Sequence, residues 1–323
     1  MDDELSNQLE ERATGDPQDL CTKCNAVISY HSEFCPNKHF AGFPHVRYAR
    51  SMRASLMERY MQAQRNARAR SVTGELERLT ALLDRSMASI NLELRTASNV
   101  AGGQAYSSYQ QAVDSGKREM AKREFHRRRD IVDGAIHTGY GERVVYLALS
   151  PDGRGLSNYG PVTLLLKEAS AEDRCAALRE NSYLFYKNCG LGPDVEEEPG
   201  WRSDWEDRSM LGVAKLEPEL AAGMDNAGLA KLVLLAGDDR QKDRYIELHM
   251  LDALAREYVD SFYLDADCLR DRYETAVREG NRAGMIDRDQ SGMTPEDREI
   301  WQQIGEALLR NGARLRPIGE RDA

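Results

Sequence analysis

Apolar positions from residue 46 to about 94 recur every three or four residues: Tyr48, Met52, Leu56 and Tyr60, then Leu76, Leu79, Leu82 and Leu83. That period lines them along one helical face and predicts helices here, with Gly74 as a candidate break. Residues 97–116 hold Gly102-Gly103, Ser107-Ser108 and Gly116, and predict a loop or linker. After Gly116 a basic helical stretch over residues 117–133 gives way to short runs of Val, Tyr and Leu, punctuated by Gly, Pro, Asp and Asn. The runs at 143–149, 162–167, 183–186, 213–216, 232–236 and 245–250 predict strands. Residues 252–263 predict a closing helix, and residues 265–315 are helical again. Thr294-Pro295-Glu296-Asp297 supplies a helix start: a capping hydroxyl, a proline in the first turn, and acids against the positive helix end. Residues 1–18 predict a short polar helix or a frayed tail. The mixture reads as α+β, with no internal repeat.

The 323 residues are about two average domains on a prior of roughly 150 residues each. Apolar runs are short, Val162-Thr163-Leu164-Leu165-Leu166 being among the longest, and mean hydropathy is -0.64. No run approaches the roughly 18 apolar residues of a membrane span, so no membrane partner is expected. The start, Met1-Asp2-Asp3-Glu4, has neither the basic nor the apolar region of a secretory signal, which sets the expectation of a cytoplasmic protein. Net charge of -10 excludes a wholly basic nucleic-acid binder but not a local basic patch. Arg47, Arg50, Arg53, Arg59, Arg65, Arg68 and Arg70 form such a patch with only Glu58 among them. They either face phosphates or pair with acids elsewhere in the chain.

Three of six cysteines cluster. Cys21-Thr22-Lys23-Cys24 is a C-x2-C knuckle, and Cys35-Pro36-Asn37-Lys38-His39 follows as C-x3-H. Each tight turn aims two ligands inward, and three thiolates with one imidazole complete a tetrahedron suited to zinc. So short a segment has too little apolar material to fold without such a staple. One structural zinc on Cys21, Cys24, Cys35 and His39 is expected, with His31 and His45 as alternative fourth ligands. Cys175, Cys189 and Cys268 read as small buried hydrophobes.

The C-terminal half carries an ordered set of motifs. These are Phe125-His126-Arg127-Arg128, the strand Val144-Val145-Tyr146-Leu147-Ala148-Leu149-Ser150, Ser157-Asn158-Tyr159-Gly160, Asn181-Ser182-Tyr183, and Tyr245-Ile246-Glu247-Leu248-His249. The order resembles the ADP-ribosyltransferase superfamily, in particular its His–Tyr–Glu branch and bacterial toxin-like relatives, over residues 117–265. The resemblance implies a split-β-sheet domain with NAD as substrate. It implies Glu247, Tyr146 and His126 as catalytic residues, and Tyr159, Ser157, Ser182 and Arg127 (or Arg128) as NAD-binding residues. Glu247 would stabilise the cationic ribose of an oxocarbenium-like transition state, Tyr159 or Tyr146 would hold nicotinamide, and His126 would bind a ribose. The early element departs from the usual His-Gly pattern, which leaves His137-Thr138-Gly139 as an alternative. Asn181-Ser182-Tyr183 can instead be the serine motif of the Arg–Ser–Glu branch, with Arg143 as its arginine.

The expected organisation is a zinc-ribbon-like segment over 1–45, a helical arm and linker over 46–116, the transferase-like domain over 117–265 and a helical extension over 266–323. The expected function is a toxin-like, NAD-dependent ADP-ribosyltransferase acting on an intracellular RNA, DNA or protein, in a toxin–antitoxin or phage-defence setting. An antitoxin or chaperone partner goes with that setting. The competing expectation is a non-catalytic zinc-ribbon protein that binds nucleic acid or a protein partner. Residues 194–207, acidic with Trp201 and Trp205, are a target-recognition or surface insertion. Asp287-Arg288-Asp289-Gln290-Ser291-Gly292 imitates an EF-hand start, but its twelfth position is Arg298 where calcium needs a glutamate.

Overall fold

The computed structural model describes residues 19–29, 32–120, 123–191, 197–238, 240, 242–265, 295–310 and 314–315. In chain order these form β1 (Asp19–Leu20), β2 (Val27–Ile28), α1 (Pro44–Ser51), α2 (Arg53–Ala69), α3 (Thr73–Asp84), β3 (Met87–Leu92), α4 (Leu94–Ala101), α5 (Tyr109–Asp114) and α6 (Arg123–Ile136). Then come β4 (Val144–Ser150), β5 (Val162–Leu166), α7 (Glu168–Arg174), β6 (Cys175–Leu178), α8 (Ser182–Cys189), β7 (Arg202–Asp204), α9 (Arg208–Leu216), α10 (Asn226–Val233) and β8 (Leu234–Leu235). The last are β9 (Arg244–Tyr245), β10 (Glu247–Leu251), β11 (Val259–Leu264), α11 (Pro295–Arg310) and β12 (Arg314–Leu315). No helix among the described residues is long and apolar enough to cross a membrane.

Eight strands form one sheet in the order β12-β11-β5-β3-β4-β10-β6-β7. Every pairing is antiparallel except β11 with β12. The α+β class is what the pattern predicts. The strands at residues 183–186 and 213–216 are helices instead. Asn181 caps α8 by accepting from the N–H groups of Tyr183 and Leu184, and Gly190 ends it at φ 62°, a left-handed position glycine takes at least cost. Conversely, the helix expected over 252–263 is a short 3-10 turn followed by β11. The loop expected over 97–116 contains the end of α4 and all of α5.

The stretch expected as an arm supplies part of the main body. Its β3 lies between β5 and β4, and Leu56, Leu76, Leu79 and Leu83 pack in one core with Val145, Leu147 and Leu149 of β4. The boundary placed at residue 117 thus cuts across this sheet. Trimming one such leucine to alanine costs about 2–5 kcal/mol in lost transfer energy and cavity.

Side chains alternate across a strand, so the sheet has two unlike faces. Val145, Leu147 and Leu149 of β4, and Leu248 and Met250 of β10, enter the apolar core. Tyr146, Glu247 and His249 point to the other face, as the cross-strand pairs His249–Tyr146 and Glu247–Ala148 require. Ser89 and Asn91 of β3 share that face. Asn91 donates to Thr163 Oγ1 (2.9 Å) and accepts from Leu156 N (2.7 Å), pinning the loop after β4.

Candidate functional site

The N-terminal ribbon is two turns that face each other. β1 and β2 pair around the first knuckle, where Cys21 N donates to Ala26 O (2.9 Å) and Asn25 takes φ 55°. In the second, Cys35 N donates to His39 O (3.0 Å) and Lys38 takes φ 60°. The donor atoms of Cys21, Cys24, Cys35 and His39 all lie within 4.8 Å of one another. Cys24 and Cys35 sulfurs are 3.6 Å apart, and Cys21 Sγ is 3.7 Å from His39 Nδ1. Four donors held at about 2.0–2.3 Å from one zinc stand about 3.5–3.8 Å apart, so these residues fit the ion. Asn37 Nδ2 donates to Cys24 Sγ (3.3 Å); that bond and the Ala26 N–H hold the Cys24 thiol at about 6, favouring the thiolate a metal needs. Of the alternative fourth ligands, His31 lies outside the described residues. His45 is buried in the body with Nε2 2.8 Å from Arg174 O.

The ribbon is clamped to the body. Arg143 pairs with Glu33 (2.6 Å) and Asp252 (2.7 Å), and Arg47 donates to Ser29 O and Ser32 O (2.8 Å each). Arg143 is therefore spent on this clamp and not set beside Ser182. The remaining arginines of the basic stretch mostly find internal partners: Arg50 with Asp204, Arg53 with Asp207, Arg59 with Glu198 and Arg70 with Glu217.

On the polar face of the sheet, residues from four segments converge on Glu247, which is 2% exposed. Its Oε1 accepts from Ser182 N (2.9 Å) and Ser182 Oγ at the positive N-terminus of α8, and lies 3.0 Å from His249 Nε2. Its Oε2 accepts from Tyr245 OH (3.1 Å) and Asn181 Nδ2 (3.2 Å). Tyr159, in the turn Ser157–Tyr159, reaches the hydroxyl of Tyr245 and carries Arg240 over its ring at 4.6 Å. Ser157 opens that turn, its carbonyl accepting from Gly160 N.

Tyr146 lies next along the face. Its hydroxyl donates to Asp133 (2.5 Å), Arg129 lies over its ring at 5.0 Å, and the His249 ring stands edge-on at 5.3 Å. His137 packs against His249 at 4.4 Å. Burial, and then the Asp133 charge, push the Tyr146 phenol well above its ordinary range. Burial also raises the Asp133 carboxyl, with Arg129 pulling the other way. Burial drives His137 well below the ordinary histidine value, and His45 down to about 3.

Of the expected residues, Glu247, Tyr146, Ser182 and Tyr159 share this face. His126 and Arg127 sit toward the start of α6. There His126 reaches Asp130 (3.6 Å) and the Tyr109 ring (5.9 Å), and Arg127 is exposed. The arginine against Tyr146 is Arg129, and the histidines are His137 and His249. Asp133, Asn181 and Tyr245 are further members that sequence reading missed. The four-residue spacing of Arg129 and Asp133 on α6 and His137 just past its end was the available signal. No protein-family model matches the chain, and no curated protein matches it.

Proposed function

We propose that the chain is an NAD-dependent ADP-ribosyltransferase whose working carboxylate is Glu247. The observation that carries this reading is the shared face: Glu247 and Tyr146 stand on adjacent antiparallel strands, with Ser182 and Tyr159 brought in from two other segments. Breaking the bond between nicotinamide and ribose builds positive charge on the ribose, and a fixed carboxylate stabilises it most at the transition state. Asn181, Ser182, Tyr245 and His249 hold Glu247 in one orientation, the pre-organisation that electrostatic stabilisation needs. Tyr159 and Tyr146 offer ring faces to nicotinamide. The acceptor is an intracellular RNA, DNA or protein, and toxicity would call for an antitoxin or chaperone. A zinc held there would be structural, because Cys21, Cys24, Cys35 and His39 would fill all four of its positions.

One observation favours a second reading. Glu247 is almost fully buried, and its oxygens are occupied by donors of the chain itself. A closed network of this kind also specifies a fold without catalysis. The two readings part in one experiment: labelled NAD+ is incubated with cell extract and either wild type or Glu247→Gln, with circular dichroism as the folding control. The transferase reading expects transfer by wild type and a loss of about a hundredfold or more in the variant. A folded wild type that neither labels an acceptor nor binds NAD+ leaves the structural network.

A further inference from the structure

One of the two rings offered to nicotinamide already carries a planar cation of the chain itself. Tyr159 packs against Ala148, Leu156 and Tyr245, and its hydroxyl reaches that of Tyr245, which donates to Glu247 (3.1 Å). The Arg240 guanidinium lies over the Tyr159 ring, 4.6 Å from its centroid. Arg240 belongs to the turn between β8 and β9, and its Nε donates to Asn158 O (3.1 Å), next to Tyr159 in the chain. The same asparagine ties down the turn. Its Nδ2 donates to Gly237 O (3.0 Å) and to Asp243 Oδ1 (2.7 Å), and Asp243 Oδ1 also accepts from Gly237 N (2.9 Å).

Shape and charge say what this ring attracts. The face of an aromatic ring is negative and draws a cation onto it. Asp243 and Glu247, each 2% exposed, add negative charge close by. Burial, and then the Glu247 and Asp243 charges, push the Tyr159 phenol above its ordinary range. A guanidinium is flat, delocalised and positive, and the N-substituted pyridinium of NAD+ has the same three properties. We propose that Arg240 is a built-in occupant of the pyridinium seat on Tyr159, an autoinhibitory contact that NAD+ displaces. The inference rests on the transferase reading and adds regulation to the same site. Arg240 is exposed, so its side chain swings into solvent without unpacking the core. Affinity for NAD+ is lowered in proportion to the share of molecules whose ring Arg240 covers.

The test is isothermal titration of the zinc-loaded full chain with NAD+ and with 1-methylnicotinamide, which keeps the pyridinium and lacks the phosphates. Arg240→Ala should bind both ligands about twofold to fivefold more tightly than wild type, the gain from removing one exposed cation–ring contact. Lys242→Ala takes the same charge from the same turn and should bind neither ligand more tightly. The direction is diagnostic, because NAD+ carries a diphosphate and loss of an arginine that held it would weaken binding. Circular dichroism of both variants should match wild type. Equal affinities in wild type and Arg240→Ala overturn this proposal and leave the transferase reading standing. Weaker NAD+ binding by Arg240→Ala also overturns it and makes Arg240 a substrate contact. If none of the folded proteins binds NAD+ or 1-methylnicotinamide, the transferase reading falls and this proposal with it.

Discussion

Two fully buried histidines should make the fold acid-sensitive, and the size of the effect follows from their surroundings. His45 and His137 are both 0% exposed. His45 has one bonded nitrogen, whereas both ring nitrogens of His137 lack a hydrogen-bond partner. Tyr140, Tyr146, His249 and the buried Arg202 surround His137, so a proton placed there meets another cation and little water. Burial first, and then the His249 charge, depress its protonation; His45 is held at about 3 for the same leading reason. The unfolded chain titrates near the ordinary value of about 6.5. Depressed folded values mean that the unfolded state binds the extra protons. Stability is therefore complete above about pH 6.5 and falls as pH drops toward the folded values. Each histidine that stays neutral removes about 1.4 kcal/mol per pH unit, or about 2 kcal/mol for His45 between pH 6.5 and 5. Asp133 works in the opposite sense at lower pH, because burial raises its carboxyl. Urea unfolding from pH 7.5 to 5 should therefore give a falling free energy, and His137→Leu should lose about one proton of that slope. Acid would also release a zinc held by the ribbon, so the difference between variant and wild type carries the result. A slope unchanged by His137→Leu refutes the reasoning.

Other outcomes follow from single contacts. Cys24→Ser should abolish binding of one zinc per chain and disorder the ribbon while the eight-stranded sheet survives, as read by elemental analysis and hydrogen exchange. Arg50→Gln with Arg53→Gln should lower stability by about 1–2 kcal/mol at most in urea unfolding, since both arginines are more than half exposed. Gly160→Ala should destabilise by about 3 kcal/mol or more in thermal melts, because its Cβ would sit 2.1 Å from the Leu92 backbone carbon. Asn181→Ala should cost about 1–2 kcal/mol, removing the cap of α8 together with a donor to Glu247.

The parts most legible in the sequence were those whose chemistry is local. Paired knuckles define the ribbon because each turn sets its own two ligands, and β4 and β5 announce themselves as runs of Val and Leu with a Tyr in β4. β3 went unread because Met87-Ala88-Ser89-Ile90-Asn91-Leu92 follows directly on a strong helical period, and only its seat between β4 and β5 makes it a strand. Tyr183-Leu184-Phe185-Tyr186 read as strand by residue type, whereas Asn181 and Gly190 at its two ends specify a helix. At the candidate site, Glu247, Tyr146, Ser182 and Tyr159 were named from the order of their motifs, whereas the place of His249 beside Glu247 came from the structure. Asp133 and Arg129 needed the tertiary packing of α6 over Tyr146, since their four-residue spacing marks a shared helix face but not that this face turns onto the sheet.

The central claim is that the Glu247 face cleaves NAD+, and release of free nicotinamide by the purified, zinc-loaded chain tests it most directly. The account predicts time-dependent release by wild type. In Glu247→Gln release should be about a hundredfold to a thousandfold slower, with the melting profile and most NAD+ affinity retained, because the lost charge acts mainly on the cationic transition state. Equal release by the two proteins, or no release by a folded wild type given NAD+ and acceptor extract, contradicts it.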